Sequence, residues 1–230
     1  MVRWKREHRL GETNGIDLRP GRAAGSMSVG IASRPAPGVF MEALFTSTAI
    51  VALAEIGDKT QLLAILLATR FRQPLPIILG ILVATLANHA LAALLGASAA
   101  AFLDSPVFRY AIGASFIAMA AWTLIPDSFD DDDAPKPRFG AFLTTLVAFF
   151  LVEMGDKTQV ATIALGAQYH NVLTVTAGTT LGMMIANVPA IFLGHELLKR
   201  VDLAKVRLAA AGLFLVIGLW VLAQTAGWLG

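Results

Sequence analysis

Residues 55–61 read Glu-Ile-Gly-Asp-Lys-Thr-Gln, and residues 153–159 repeat this stretch as Glu-Met-Gly-Asp-Lys-Thr-Gln. Each copy lies in the middle of a long apolar segment that continues on both sides of the charged residues. An ionised side chain at the centre of a membrane helix costs roughly 2.5–3.5 kcal/mol on insertion scales. Because the chain carries this cost in both copies, we expect the charged residues of the two motifs to perform the function.

The composition is that of a membrane protein. The 230 residues are 56% hydrophobic and 15% charged, whereas soluble domains are about 25% charged. The net charge of +2 comes with basic residues placed mainly in a tail and in loops, which argues against nucleic acid as a partner. The chain contains no cysteine, and this excludes disulfides, thiolate metal sites and cysteine nucleophiles.

Six apolar stretches are long enough to cross a bilayer, which takes about 20 residues per helix. They run over residues 39–69, 75–103, 107–125, 139–167, 172–198 and 203–229. The predicted domains are a disordered basic tail (1–39), a three-helix repeat (40–126), an acidic linker (127–138) and a second three-helix repeat (139–230). The tail lacks the features of a signal peptide, and Met27 and Met41 are alternative starts of the protein.

An offset of 98 residues relates the two halves. It connects Glu55 with Glu153, and likewise Gly80 with Gly178, Gly96 with Gly194, and Phe116 with Phe214. Because each unit has an odd number of spans, tandem copies enter the membrane from opposite faces. The sequence therefore predicts an all-α polytopic membrane protein, with six transmembrane helices arranged as two inverted three-helix repeats. The four glycines are interpreted as helix-packing positions.

The distribution of basic residues predicts the orientation. One face carries Arg70, Arg72, Lys136, Arg138, Lys199, Arg200, Lys205 and Arg207, and the other carries Arg109 together with the tail. Without the tail, the first face and its central acidic loop are cytoplasmic; with the tail, the two counts nearly balance and both orientations stay open. The absence of an organelle-targeting segment favours a bacterial inner (plasma) membrane.

The candidate cation ligands are the four motif carboxylates, Glu55, Asp58, Glu153 and Asp156. On a helix Glu55, Asp58 and Lys59 share one side, while Gly57 permits close backbone approach or a local break. Carboxylate-rich sites suit hard divalent cations such as Ca²⁺ and Mn²⁺. Further candidate ligands or supporting groups are Lys59, Thr60, Gln61, Asn88, His89, Lys157, Thr158, Gln159 and Asn187.

His89 and the lysines each have a second interpretation. An imidazole nitrogen would shift the preference of the site toward Mn²⁺, but His89 could also be a packing residue, and the region aligned with it reads Ala-Asn-Val at residues 186–188. The lysines could form structural salt bridges inside each motif, Glu55 with Lys59 and Glu153 with Lys157.

Competition between protons and metal predicts a cation/proton exchanger. Burial disfavours the charged form of a carboxylate and a nearby cation favours it, so both occupants compete for the same oxygens. The alternatives are an exporter of small cationic organic solutes and a non-transporting membrane scaffold. We do not expect an enzyme, because the sequence has no His-Glu-x-x-His and no Gly-x-Ser-x-Gly. The expected partners are membrane lipid and the transported cation, without a cofactor; the oligomeric state stays open.

The paired Glu-x-Gly-Asp-Lys-Thr motifs on the first and fourth spans resemble the signature of the Gdt-type cation/proton exchanger family. The resemblance covers residues 41–230 and includes both motifs in full. It implies exchange of Ca²⁺ and Mn²⁺ for protons, export of Mn²⁺ by bacterial members similar to this chain, and a cytoplasmic central loop. It also implies that Glu55, Asp58, Glu153 and Asp156 form the cation site.

Overall fold

The computed structural model describes residues 37–102, 105–126, 139–194 and 202–228. All regular structure within these residues is helical, which confirms the all-α fold class. The eight described helices are α1 (Pro37–Glu55), α2 (Lys59–Phe71), α3 (Pro74–Phe102), α4 (Pro106–Thr123), α5 (Gly140–Glu153), α6 (Lys157–Tyr169), α7 (Val172–Leu193) and α8 (Leu203–Thr225). The acidic linker and the predicted tail as far as residue 36 lie outside the described residues.

Four of the described helices are long and apolar enough to cross a membrane. These segments are Gly38–Glu55, Pro74–Ala100, Val172–Leu193 and Leu203–Thr225, and the shorter α5 is apolar too. The predicted spans 39–69 and 139–167 are not continuous helices, because each is interrupted at its motif glycine. Of the two conformations that the sequence allowed for Gly57, the local break is therefore confirmed.

Helices α2 and α6 end in the same way. Arg72 and His170, which are 98 residues apart, both adopt left-handed backbone conformations with φ of 54° and 51°. Each donates its backbone N–H to a carbonyl four residues earlier, Ala68 and Gly166 respectively, at 3.0 Å. This closes the last turn and redirects the chain into α3 and α7.

The packing of long helices on the broken ones is also repeated. Helix α3 packs on α5, and α7 packs on α1. A methyl group at Gly80 would lie 2.8 Å from the carbonyl oxygen of Phe142, and one at Gly178 would lie 2.8 Å from that of Leu44, which is the repeat-related residue. The absence of a side chain at both glycines lets the backbones approach closely, so their predicted packing role is confirmed.

The other two predicted packing glycines differ from each other. Gly96 faces the backbone of α6 at Ile163, as predicted, and has no room for a side chain. Gly194 instead ends α7 with φ of 57°, and no described atom lies within 4 Å of where its side chain would be. The packing interpretation of Gly194 was wrong, because the position serves a helix end rather than a helix crossing.

Helices α4 and α8 form a third pair. Phe116 of α4 and Phe214 of α8, again 98 residues apart, are fully buried, and their ring centroids are 6.4 Å apart. This distance is typical of interacting aromatic rings. The hydrophobic core thus contains a contact between two equivalent residues of the halves.

Candidate cation site

Both motifs form a turn between two helices. Helix α1 ends at Glu55 and α2 begins at Lys59; α5 ends at Glu153 and α6 begins at Lys157. The glycine inside each turn has φ of +82°, a conformation that glycine adopts without steric cost. Gly57 and Gly155 therefore interrupt two otherwise apolar segments at the same point of each repeat.

A glutamine ties each turn to a neighbouring helix. The Oε1 atom of Gln61 accepts the N–H of Gly57 at 2.9 Å, and that of Gln159 accepts the N–H of Gly155 at 2.6 Å. Their amide groups donate outward, from Gln61 to the carbonyl oxygen of Ala186 at 2.9 Å and from Gln159 to Oδ1 of Asn88. The two glutamine oxygens and that of Asn88 are therefore engaged in positioning the turns.

A threonine holds each glutamate. Thr60 Oγ1 donates to Glu55 Oε2, and Thr158 Oγ1 donates to Glu153 Oε2 at 2.9 Å. Both glutamates are fully buried, and the Oε1 atom of each accepts no hydrogen bond from any residue that the structure describes. Each glutamate thus has one oxygen fixed by threonine and one oxygen available to a ligand.

Carboxylates from the two motifs converge. Glu55, Asp58 and Asp156 each offer one oxygen, and these three atoms lie within 4.8 Å of one another; all three residues are buried. We call these residues the carboxylate trio. Three carboxylate oxygens so close together could hold a divalent cation. Glu153, the fourth motif carboxylate, is not part of the trio.

The lysines pair across the two motifs. Lys157 Nζ lies 2.9 Å from Asp58 Oδ1, and Lys59 Nζ lies 3.1 Å from Asp156 Oδ1. The interpretation of Glu–Lys salt bridges inside each motif was wrong, because the helix break directs each lysine toward the other copy. When the four carboxylates and the two ammonium groups are all ionised, their formal charges sum to −2. A divalent cation would balance this charge.

His89 and Asn187 occupy equivalent positions on α3 and α7. His89 is fully buried, and its Nε2 lies 3.9 Å from Glu153 Oε2. Asn187 donates to the carbonyl oxygen of Met183 at 3.1 Å. The two ring nitrogens of His89 have no hydrogen-bond partner among the described residues, and the same is true of Asn187 Oδ1. These atoms remain available to a ligand, unlike the oxygen of Asn88.

Sequence reasoning did not single out a set of buried hydroxyls. Six of them have no hydrogen-bond partner in the described part of the chain: Ser47, Thr85, Thr144, Thr145, Thr176 and Thr180. Hydroxyls in helices commonly bond to a carbonyl of the preceding turn, so free ones in an apolar interior are unusual. The sequence did contain one indication of these hydroxyls, because Thr176 and Thr180 lie one helical turn apart on α7.

Comparison with known proteins identifies the family. A family model described as the divalent cation/proton antiporter GDT1 matches residues 43–131 and again residues 141–228. The chain belongs to the GDT1 family. The family transports cations and is not enzymatic, as the sequence predicted, and its model matches each half of the chain separately.

Several relatives share most of their length with this GDT1 protein. A protein of Vibrio cholerae with the name "Putative manganese exporter" is 50% identical over 180 residues, covering 78% of this chain and 90% of its own. The GDT1-like protein sll0615 of Synechocystis is 29% identical, covering 72% and 89%. GDT1-like protein 5 of Arabidopsis thaliana is 27% identical, covering 79% and 96%. No solved structure matches the chain.

Proposed function

We propose that this GDT1 protein exports Mn²⁺ from the cytoplasm in exchange for protons, at one site built by both motifs. The convergence of Glu55, Asp58 and Asp156 within 4.8 Å carries the proposal, because neither motif supplies these ligands alone. Glu153 completes the predicted set of four carboxylates. Metal and protons compete for the same buried oxygens, so loading of one displaces the other.

The proposed architecture is the predicted six-span inverted repeat. In this arrangement α1 with α2 and α5 with α6 form two interrupted spans, and α3, α4, α7 and α8 form the other four. Support comes from the equivalent packing at Gly80 and Gly178 and from the family model, which matches each half. Interrupted helices that meet at a repeat interface are common ion-binding elements of secondary transporters.

The proposed orientation places the α2–α3 connection at the cytoplasm of a bacterial inner membrane. Arg70 and Arg72 lie at this connection, and Lys205 and Arg207 lie near the start of α8 on the same predicted face. Basic residues close to membrane helices concentrate on the cytoplasmic side. The central acidic linker belongs to that side as well.

Two observations lead to Mn²⁺ as the proposed substrate: the carboxylate ligands of the site and the name of one relative. Carboxylate oxygens accept both Ca²⁺ and Mn²⁺, so the trio alone does not discriminate between them. The name of the Vibrio cholerae relative refers to manganese export, and that protein shares half of its aligned residues with this chain. The transport assays that address selectivity therefore compare Mn²⁺ with Ca²⁺.

Alternating access is proposed to exchange the environments of the two ion pairs. The Lys157 side chain is 4% exposed and the Lys59 side chain is 28% exposed, although the residues are equivalent in sequence. A side chain at Gly57 would meet Leu203 of α8, whereas one at Gly155 would have no described atom within 4 Å. In an inverted-repeat transporter the opposite-facing state has these two environments interchanged.

Purified protein in vesicles that contain a pH-sensitive dye tests the function. An imposed Mn²⁺ gradient should drive protons in the opposite direction, and vesicles without protein should not respond. A large excess of arginine should leave the signal unchanged, since the site is expected to take a metal rather than an organic cation. If neither a Mn²⁺ gradient nor a Ca²⁺ gradient drove proton movement, the proposal would be contradicted.

A further inference from the structure

We propose that His89 donates a nitrogen ligand to the transported ion and thereby makes the site prefer Mn²⁺ to Ca²⁺. This inference rests on the proposed function and adds a residue that determines specificity. Four observations support it: the burial of His89, its free nitrogens, its distance from Glu153 and its replacement by asparagine in the other repeat.

The burial of His89 calls for a partner. Its side chain is fully buried on α3, yet neither Nδ1 nor Nε2 has a hydrogen-bond partner among the described residues. More than about 90% of buried polar groups in proteins are satisfied, and an unsatisfied one costs about 1–3 kcal/mol. A residue that served only packing would gain nothing from an imidazole here. A bound ion would satisfy the ring.

The distance to Glu153 leaves room for such an ion. His89 Nε2 lies 3.9 Å from Glu153 Oε2, too far for a hydrogen bond. Two atoms that ligate one first-row cation at about 2.1 Å each are separated by roughly 3 to 4.2 Å, depending on the angle at the metal. Glu153 Oε2 accepts one hydrogen bond from Thr158 and retains a further lone pair, so the two side chains can bind the same ion with little movement.

Glu153 connects His89 with the two motifs. It is the acidic neighbour of His89, and in the sequence it is the counterpart of Glu55, which belongs to the trio. An ion that binds Glu153 in addition to the trio would therefore lie beside His89.

The chemistry of the two repeats differs at this position. The motif residues Glu, Gly, Asp, Lys, Thr and Gln occur in both copies, but the residue 98 positions after His89 is Asn187. The Oδ1 of Asn187 is also buried without a described partner. One half therefore offers nitrogen and the other offers oxygen. Imidazole favours first-row transition metals, while Ca²⁺ takes oxygen ligands almost exclusively.

The substitution His89→Asn tests the inference because it copies the residue of the other repeat. In proteoliposomes, the half-saturating Mn²⁺ concentration should rise by about 10–100-fold, the range for losing a group that supports a metal site, while that for Ca²⁺ should change little. The matched control is His170→Asn at the end of α6, which is exposed and left-handed, a conformation that asparagine tolerates. Its Mn²⁺/Ca²⁺ ratio should equal that of the wild type.

Electron spin-echo spectroscopy of Mn²⁺ bound to the wild-type protein supplies a readout independent of transport and of the variant's folding. A histidine ¹⁴N coupling is expected, and it should disappear in His89→Asn. Suppose that the wild-type protein transports Mn²⁺. If His89→Asn then had the wild-type Mn²⁺/Ca²⁺ ratio, or if the wild-type protein showed no nitrogen coupling, the role of His89 would be overturned and the proposed function would stand. If the wild type moved neither metal, the proposed function itself would fail.

Discussion

Lys157 Nζ lies 2.9 Å from Asp58 Oδ1, so the lysine of the second motif pairs with the aspartate of the first. The reciprocal pair, Lys59 with Asp156, has a distance of 3.1 Å. The two halves of the chain are thus joined through their most polar residues. Each lysine places a positive charge beside an aspartate of the trio. A bound metal ion would place its own positive charge beside the same aspartates.

Substitution of the two lysines should affect stability unequally. Lys157→Gln removes a buried partner of Asp58, and breaking a buried pair costs about 3–5 kcal/mol. Lys59→Gln should cost less, on the order of 1 kcal/mol, because that lysine is only partly buried, with 28% of its side chain exposed. Thermal unfolding in detergent measures both free-energy changes.

The double variant Asp58→Asn with Lys157→Gln is the control for this comparison. It should recover part of the loss seen in Lys157→Gln, since no charge is then left without its partner. Equal losses for the two lysine variants, or a double variant that simply adds the two single effects, would argue against the cross-motif pair as described.

Removal of either trio aspartate should abolish exchange. Asp58→Asn and Asp156→Asn keep the side-chain size but remove a charged ligand from a cluster only 4.8 Å wide. We expect metal-driven proton movement to fall by at least about 100-fold in each, because supporting residues alone are worth 10–100-fold. Initial rates in proteoliposomes give the comparison.

Asp202→Asn is the matched control for the aspartate variants. Asp202 caps α8 by accepting the N–H of Lys205 at 3.2 Å, and asparagine caps helices equally well. Its hydrogen bonds with Lys205 hold the pKa of Asp202 below the ordinary value, so this substitution also removes a charge. Full activity is expected. Wild-type exchange rates in Asp58→Asn would instead contradict the role of this carboxylate as a ligand of the transported ion.

The two motif glycines should tolerate alanine differently. Gly57→Ala and Gly155→Ala both place a side chain at φ of +82°, which costs roughly 1–2 kcal/mol. A methyl group at residue 57 would also lie 2.8 Å from Leu203 Cδ2, whereas one at residue 155 would have no described atom within 4 Å. Thermal unfolding should therefore show the larger loss for Gly57→Ala, and Leu203→Ala should relieve part of it.

Gly212→Ala gives the baseline for the glycine series. Gly212 lies inside α8 with no described atom within 4 Å of the added methyl group. Alanine there should be neutral or stabilising by up to about 1 kcal/mol. If Gly155→Ala proved as harmless as Gly212→Ala, the positive φ would not be required for the turn.

The sequence was sufficient for features that depend on composition and repetition. Apolar length predicted helices, and the offset of 98 residues identified Gly80 and Gly178 as equivalent packing positions. It also related Phe116 to Phe214, but the contact between their rings is known only from the structure. The sequence also predicted that carboxylates from separate halves would meet, and three of the four do within 4.8 Å. These features follow from burial and symmetry, which a sequence records directly.

The sequence was not sufficient where side-chain direction mattered. Counting along a continuous helix placed Lys59 next to Glu55, but the break at Gly57 rotates α2 so that the lysine reaches Asp156. The same break brings the Gln61 amide oxygen onto the N–H of Gly57, a supporting contact that counting along a continuous helix does not reveal. Gly194 ends a helix instead of packing, which spacing alone cannot distinguish.

Counting the ions that bind to the purified protein tests the shared site most directly. Titration of the detergent-solubilised chain with Mn²⁺, followed by the loss of the free-ion electron paramagnetic resonance signal, should give one tight site per chain. Asp58→Asn and Asp156→Asn should each remove that site completely, because the two aspartates belong to different motifs but to one cluster. Two sites per chain, with each substitution removing only one of them, would contradict the account.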